Sequence, residues 1–196
     1  MEAARLFKNV KFDRTVKIIF FTGEEQGLIG SKAYVLDHPA DISKIEAVFN
    51  LDMFGYDDDQ DMCMELHVGT MPASQVPGRC FTDVNENYNL GLKLEYIDFT
   101  NMGSSDHAPF WGKGIGAIEL LENFDNHRNL TICGGERDRN PNYHQTTDTI
   151  DKMWMPATVA GVKAGVGAAA SLAGPLPSTE PIFDYFINLP LITVVH

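Results

Sequence analysis

The chain has 196 residues, enough for one domain with a sizeable core and too few for two. Its residues are 44% apolar and 21% charged, which excludes a disordered or fibrous protein. Fifteen Lys and Arg against twenty-seven Asp and Glu give a net charge of −12, which argues against nucleic-acid or anionic-membrane binding, since both need basic patches. The acid is concentrated. Between Lys44 and Arg79 there is no basic residue but seven acids: Glu46, Asp52, Asp57, Asp58, Asp59, Asp61 and Glu65. That run reads as a solvated loop, part of which can attract a cation or an amine. Cys63, Cys80 and Cys133 form no CxxC pair, which excludes zinc-finger spacing and a disulfide framework and leaves one disulfide open. No signal peptide is expected, because MEAARLFKNVKFDRT is charged and amphipathic, with no apolar stretch behind it.

In chain order, residues 3–8 read as the last turns of a helix. Residues 15–21 (TVKIIFF) are β-branched and aromatic, the pattern of a buried strand. A helix is expected over 27–36, ended near Pro39, then a buried strand over 45–52 (IEAVFNLD) and another over 64–68. Residues 79–90 read as a helix, 92–99 as a strand, and 105–111 as a short helix capped by Ser104 or Ser105. A strand over 115–121 (IGAIELL) precedes a long loop, 122–143, and a helix over 156–173 closes the domain. That last segment is interrupted by Lys163 and glycines, so it reads as a packed helix and not a membrane span. Helices alternating with buried strands predict an α/β fold, with a mostly parallel or mixed central sheet and helices on both faces. Residues 174–196, with prolines at 175, 177, 181 and 190, read as a tail or linker after a domain spanning 1–173.

Functional groups in such sheets gather beyond the carboxyl ends of the strands. Three polar clusters lie there: Gly23-Glu24-Glu25, Asn50-Leu51-Asp52, and Tyr143-His144 with Asp148 after the long loop. Two adjacent carboxylates just behind an apolar run (IIFF) repel and lose solvation, which raises a pKa or demands a cation. Carboxylate and imidazole donors without thiolate suit zinc in an open catalytic site. One glutamate can bind metal while its neighbour serves as a general base.

FFTGEEQGLIGSKAYV, NLDMFGYD, SSDHAPFW and NYHQTTDTIDKM resemble, in order, the blocks of the M28 zinc aminopeptidases, over about residues 2–173. The resemblance implies a zinc-exopeptidase fold and release of N-terminal residues from peptides with a free amino terminus. It implies that Glu24 takes a proton from the attacking water and passes it to the leaving amine. Glu25 and His144 would hold one zinc, Asp52 a second, and Tyr143 would steady the oxyanion. Ser105, Asp106 and His107 would line the substrate or back the metal ligands; a helix N-cap with a structural histidine is the alternative. Asp148 would orient His144 or cap the last helix, with the cap preferred. Phe99, Met102, Phe110 and Trp111 suit an apolar side-chain pocket or, preferentially, core. The family's bacterial members are often exported, which implies a secreted or periplasmic protein.

The sequence also departs from the family. The expected HxD histidine and a bridging aspartate precede the GEE block there, with two N-terminal strands, and this chain starts beyond them. Two zincs are therefore the family expectation, and one or none the expectation for the visible ligands. His38, His67 and His127 read as surface histidines that do not replace the missing ligand. Residues 15–21 would lack a neighbour and expose a ladder edge, inviting self-association. Two further readings stand beside the peptidase: a glutaminyl-cyclase-like zinc acyltransferase, and an inactive binding or assembly module.

Overall fold

A computed structural model describes residues 2–124, 132–133 and 137–175. Its four strands are β1 (Val48–Leu51), β2 (Cys63–His67), β3 (Lys93–Ile97) and β4 (Ala117–Glu122), in the order β1-β4-β2-β3. β1 runs parallel to β4, β2 parallel to β3, and β2 antiparallel to β4, so the sheet is mixed. The helices are α1 (Glu2–Phe7), α2 (Ile29–Asp37), α3 (Pro39–Ile42), α4 (Gln75–Asn87), α5 (Ala108–Trp111) and α6 (Met155–Ala173).

The alternation of β2 sets the two layers. Met64, Leu66 and Val68 face α4 and α6, where Phe81, Val84, Ala157, Ala160, Ala164 and Ala168 complete the main core. Small residues let α6 lie close to the sheet: a Cβ at Gly161 would stand 2.7 Å from Leu120. The opposite face is covered by α2 and α5, through Val35, Phe110, Ile115 and Ala117. Phe110 and Trp111 thus belong to the core side, whereas Phe99 is exposed.

Most elements fall where the sequence puts them; three expectations need correction. Residues 15–21 join no sheet. Among the described residues only the stretch just before them pairs, Asp13 and Arg14 N–H donating to Gly174 and Ala173 O at 2.8 and 2.9 Å. A cavity of about 730 Å³ separates them from β1, lined by Ile18, Phe21, Val48, Leu51 and Gly165 among others. With no ladder partner, the run leaves Ile18 41%, Ile19 40% and Phe20 71% exposed. β2 is an interior strand, not an outer one, so His67 is buried instead of superficial. The short helix begins at Ala108, and neither Ser104 nor Ser105 caps it with its side chain. His38 does lie exposed, stacked on Tyr34. His127 and the tail beyond Pro175 lie outside the described residues. Cys63 and Cys133 form a disulfide with Cα atoms 5.6 Å apart. Among the described residues no helix is long and apolar enough to cross a membrane.

Candidate metal centre and active site

The GEE turn is built by glycine at two points. Gly23 takes φ +68, and Gly30 approaches the chain so closely that a Cβ there would stand 2.6 Å from Thr22 O. Gly30 N–H donates to that same oxygen at 2.9 Å, which fastens the start of α2 beneath the turn carrying Glu24 and Glu25. Asp52 follows β1 directly, its N–H still on the ladder to Leu120 O at 3.1 Å. Met53 then enters the left-handed region at φ 49 and turns the chain away, leaving the Asp52 carboxylate at the sheet end. His144 also takes a left-handed φ of 58, in the loop before α6.

These separate segments converge. His144 Nε2 lies 2.7 Å from Glu25 Oε1, across 119 residues of sequence. Tyr143 stacks on His144 with ring centroids 3.8 Å apart, and Phe124 packs beside it at 5.8 Å. Burial raises the Tyr143 phenol, with the charges of Glu25, Glu24 and Asp52 adding to it. Glu24 is raised by burial first and then by Asp52, Glu25, Asp106 and Glu119. Asp52 is raised by burial, against a hydrogen bond from Ser105 that favours its charge. The charges of Asp52, Glu25 and Asp106 thus act on Glu24, and those of Glu25, Glu24 and Asp52 on Tyr143. Such a concentration of acid at the end of a sheet is a favourable position for a cation.

Ser105 Oγ donates to Asp52 Oδ2 at 2.6 Å and accepts from Asn50 Nδ2 at 2.8 Å, so the serine backs a carboxylate instead of capping a helix. Asp106 has a buried Oδ1 with no hydrogen-bond partner. Asp148 does not cap α6: it accepts from Asn140 Nδ2 at 3.1 Å, and the residue before α6 is Trp154. The sequence reading missed Asn50 as Ser105's partner, and missed Glu122. Glu122 ends β4, 3% exposed; its Oε2 accepts from Tyr56 N–H at 3.2 Å, and its Oε1 has no partner. Burial, then the nearby charges of Asp138, Asp148 and Asp52, push its carboxyl up to about 8.

Asp57, Asp59, Asp61 and Asp138 form a second acidic group, with ligand atoms within 4.8 Å of one another. Their oxygens accept backbone N–H groups: Asp57 from Asp61 and Met62, Asp59 from Asp61, Asp61 from Cys63, and Asp138 from Asp58. The acidic run thus folds its own loop with these bonds.

The donor set at the sheet end fits zinc. Glu25 and His144 already meet, both are of the ligand types zinc takes, and no thiolate is present.

The sequence matches peptidase family M28 over residues 1–169. Aminopeptidase YwaD of Bacillus subtilis is 32% identical over 62% of this chain and 26% of its own length. The probable lipoprotein aminopeptidase LpqL of Mycobacterium tuberculosis is 31% identical over 88% of this chain and 38% of its own. The zinc aminopeptidase BSAP from Bacillus subtilis superposes with a TM-score of 0.66 at 28% identity, covering 88% of this chain and 39% of that structure. This chain therefore spans between about a quarter and two-fifths of the relatives it matches. With the GEE, NLD and YH segments converging as described, the chain belongs to peptidase family M28.

Proposed function

We infer that this chain carries the catalytic base and metal ligands of a zinc-dependent aminopeptidase, which removes N-terminal residues from peptides. The contact between Glu25 and His144, ligand-type groups brought together from opposite ends of the domain, is the observation that carries this reading. Glu25 and His144 would hold one zinc and Asp52 a second. Zinc held there would supply Lewis-acid polarisation of the scissile carbonyl. Glu24, raised in pKa and free of a ligand role, takes the proton of the attacking water and delivers it to the leaving amine. Tyr143 donates its phenol O–H to the carbonyl oxygen as that atom gains charge. The acid around the site attracts the substrate's α-ammonium, which favours action at a chain terminus.

Zinc per chain, measured by plasma mass spectrometry after saturation and desalting, tests the ligand set. About one zinc, lost in Glu25→Ala, together with release of N-terminal residues from peptides, is the expected result, and a second zinc lost in Asp52→Ala would add the Asp52 site. No zinc and no hydrolysis would make the chain a binding module; zinc with cyclisation of N-terminal glutamine would make it an acyltransferase.

Two wider readings rest on other features. Among the described residues, β1 has an unpaired edge and residues 15–21 have no ladder partner, which suits self-association of two chains. Sedimentation should show a dimer that Ile19→Lys converts to monomer. The Cys63–Cys133 disulfide supports an exported protein, since such bonds persist in oxidising compartments. Fractionation of the producing cell checks this.

A further inference from the structure

One face of the sheet carries an ionisable row where apolar side chains are the rule. Glu65, His67 and Glu119 are each no more than 2% exposed. His67 Nδ1 lies 3.0 Å from Glu119 Oε2 and Nε2 lies 2.8 Å from Glu65 Oε2, so each ring nitrogen faces a carboxylate. Burying such a group is not explained by stability, because well-packed apolar residues of similar volume commonly do as well or better. Position is what it supplies.

Glu119 stands at the centre of that row. In the sheet register it lies directly opposite His67 on β2 and directly opposite Asn50 on β1. The turn leading into α5 touches this row at two points. His107 Nδ1 stands 3.6 Å from Glu119 Oε2, a charge contact too long for a hydrogen bond that leaves this buried nitrogen without a hydrogen-bond partner, and Ser105 Oγ accepts from Asn50. The turn is closed on itself by His107 Nε2, which donates to Met102 O at 2.8 Å, and Trp111 packs edge-on against the imidazole at 4.4 Å. Because Asn50 donates to the Ser105 oxygen, the single Ser105 proton is directed to Asp52 Oδ2, 2.6 Å away.

We propose that Glu119 is a positioning residue for Asp52, acting through His107 and the 102–107 turn to keep the Ser105 hydroxyl on that carboxylate. His67, held between Glu65 and Glu119, fixes the Glu119 side chain in turn. The consequence for metal binding rests on the assignment of Asp52 as a ligand; the consequence for the turn does not.

The test uses the full chain with Glu119→Gln, which keeps shape, His107→Gln, which leaves the sheet untouched, and Ser105→Ala as reference. In metal-free protein, amide exchange over residues 101–108 should accelerate at least about tenfold in Glu119→Gln and His107→Gln. Cobalt(II) affinity should fall about 10- to 100-fold in each variant, with a changed visible spectrum. Combining Glu119→Gln with Ser105→Ala should lower affinity no further than Ser105→Ala alone. Native exchange over 101–108 in His107→Gln, or additive losses of affinity, would overturn the proposal; so would a lowered melting temperature with an unchanged cobalt spectrum. Asp52→Asn that binds cobalt like the parent would remove the ligand assignment instead, and the exchange result would still decide the relay.

Discussion

Glu24 differs from its neighbour Glu25 by contacts more than by chemistry. Glu25 reaches His144, whereas Glu24 faces other acids in a half-buried turn. Glu24→Gln should therefore lower peptide hydrolysis by roughly 10²- to 10⁴-fold while zinc per chain stays unchanged, measured by initial rates and metal analysis on one preparation. Glu122 gives a prediction in stability. Its folded-state pKa of about 8 exceeds its ordinary 4.5, so the folded protein holds a proton that the unfolded chain releases between those values. Metal-free protein should lose a few kcal/mol as pH rises from about 4.5 to 8. Urea midpoints across that range should flatten in Glu122→Gln. His67 adds a loss at higher pH. Burial alone would lower its pKa, but the hydrogen bonds and charges of Glu119 and Glu65 outweigh it and raise it to about 9. Its contribution is complete below 6.5 and is lost as pH rises through 9. Of these residues, Glu24 and Glu25 stood out in the sequence as adjacent carboxylates after an apolar run, and the resemblance to M28 singled out Asp52 and His144; the structure brings His144 to Glu25. Glu65, His67, Glu119 and Glu122 were not, because within a strand their letters look like polar interruptions of an apolar run.

Helix α6 and the short turn into α5 show how elements carry the site. α6 lies against β4 and β1 through glycine, with Gly161 over Leu120 and Gly165 over Leu51. Gly161→Leu should cost about 1–3 kcal/mol by overpacking, read from urea denaturation, even though leucine is the better helix former. The sequence pattern located α6 to within one residue, since a small-residue run closed by Gly174 has few other readings. It misread the segment at 105–111. Ser105 had two readings, a helix N-cap or, by resemblance, a group backing the metal ligands; its hydroxyl meets Asp52, 53 residues away, and such distant partners leave no local mark to choose between them.

For the whole molecule, the disulfide and the unpaired run at residues 15–21 set opposite tendencies among the described residues. The Cys63–Cys133 bond closes a loop with a sequence separation of 70 and ties the buried start of β2 to the long loop after β4. Replacing both cysteines by serine should lower stability by about 4 kcal/mol, measured by denaturant unfolding under non-reducing conditions. Residues 15–21 act the other way: with no ladder partner among the described residues, they leave aliphatic and aromatic side chains in contact with solvent. By itself the sequence determined the α/β class, the order of the elements and the identity of the acid and imidazole groups at the strand ends. Those follow from periodicity and from local motifs, which are properties of neighbours along the chain. The tertiary structure alone decided that residues 15–21 stay outside the sheet, that β2 is interior, and that His67 is a buried ion-pair partner. It alone joined Asn50, Ser105 and Asp52. These depend on which strands lie side by side, and pairing between segments far apart in sequence is set by the packing of the whole chain.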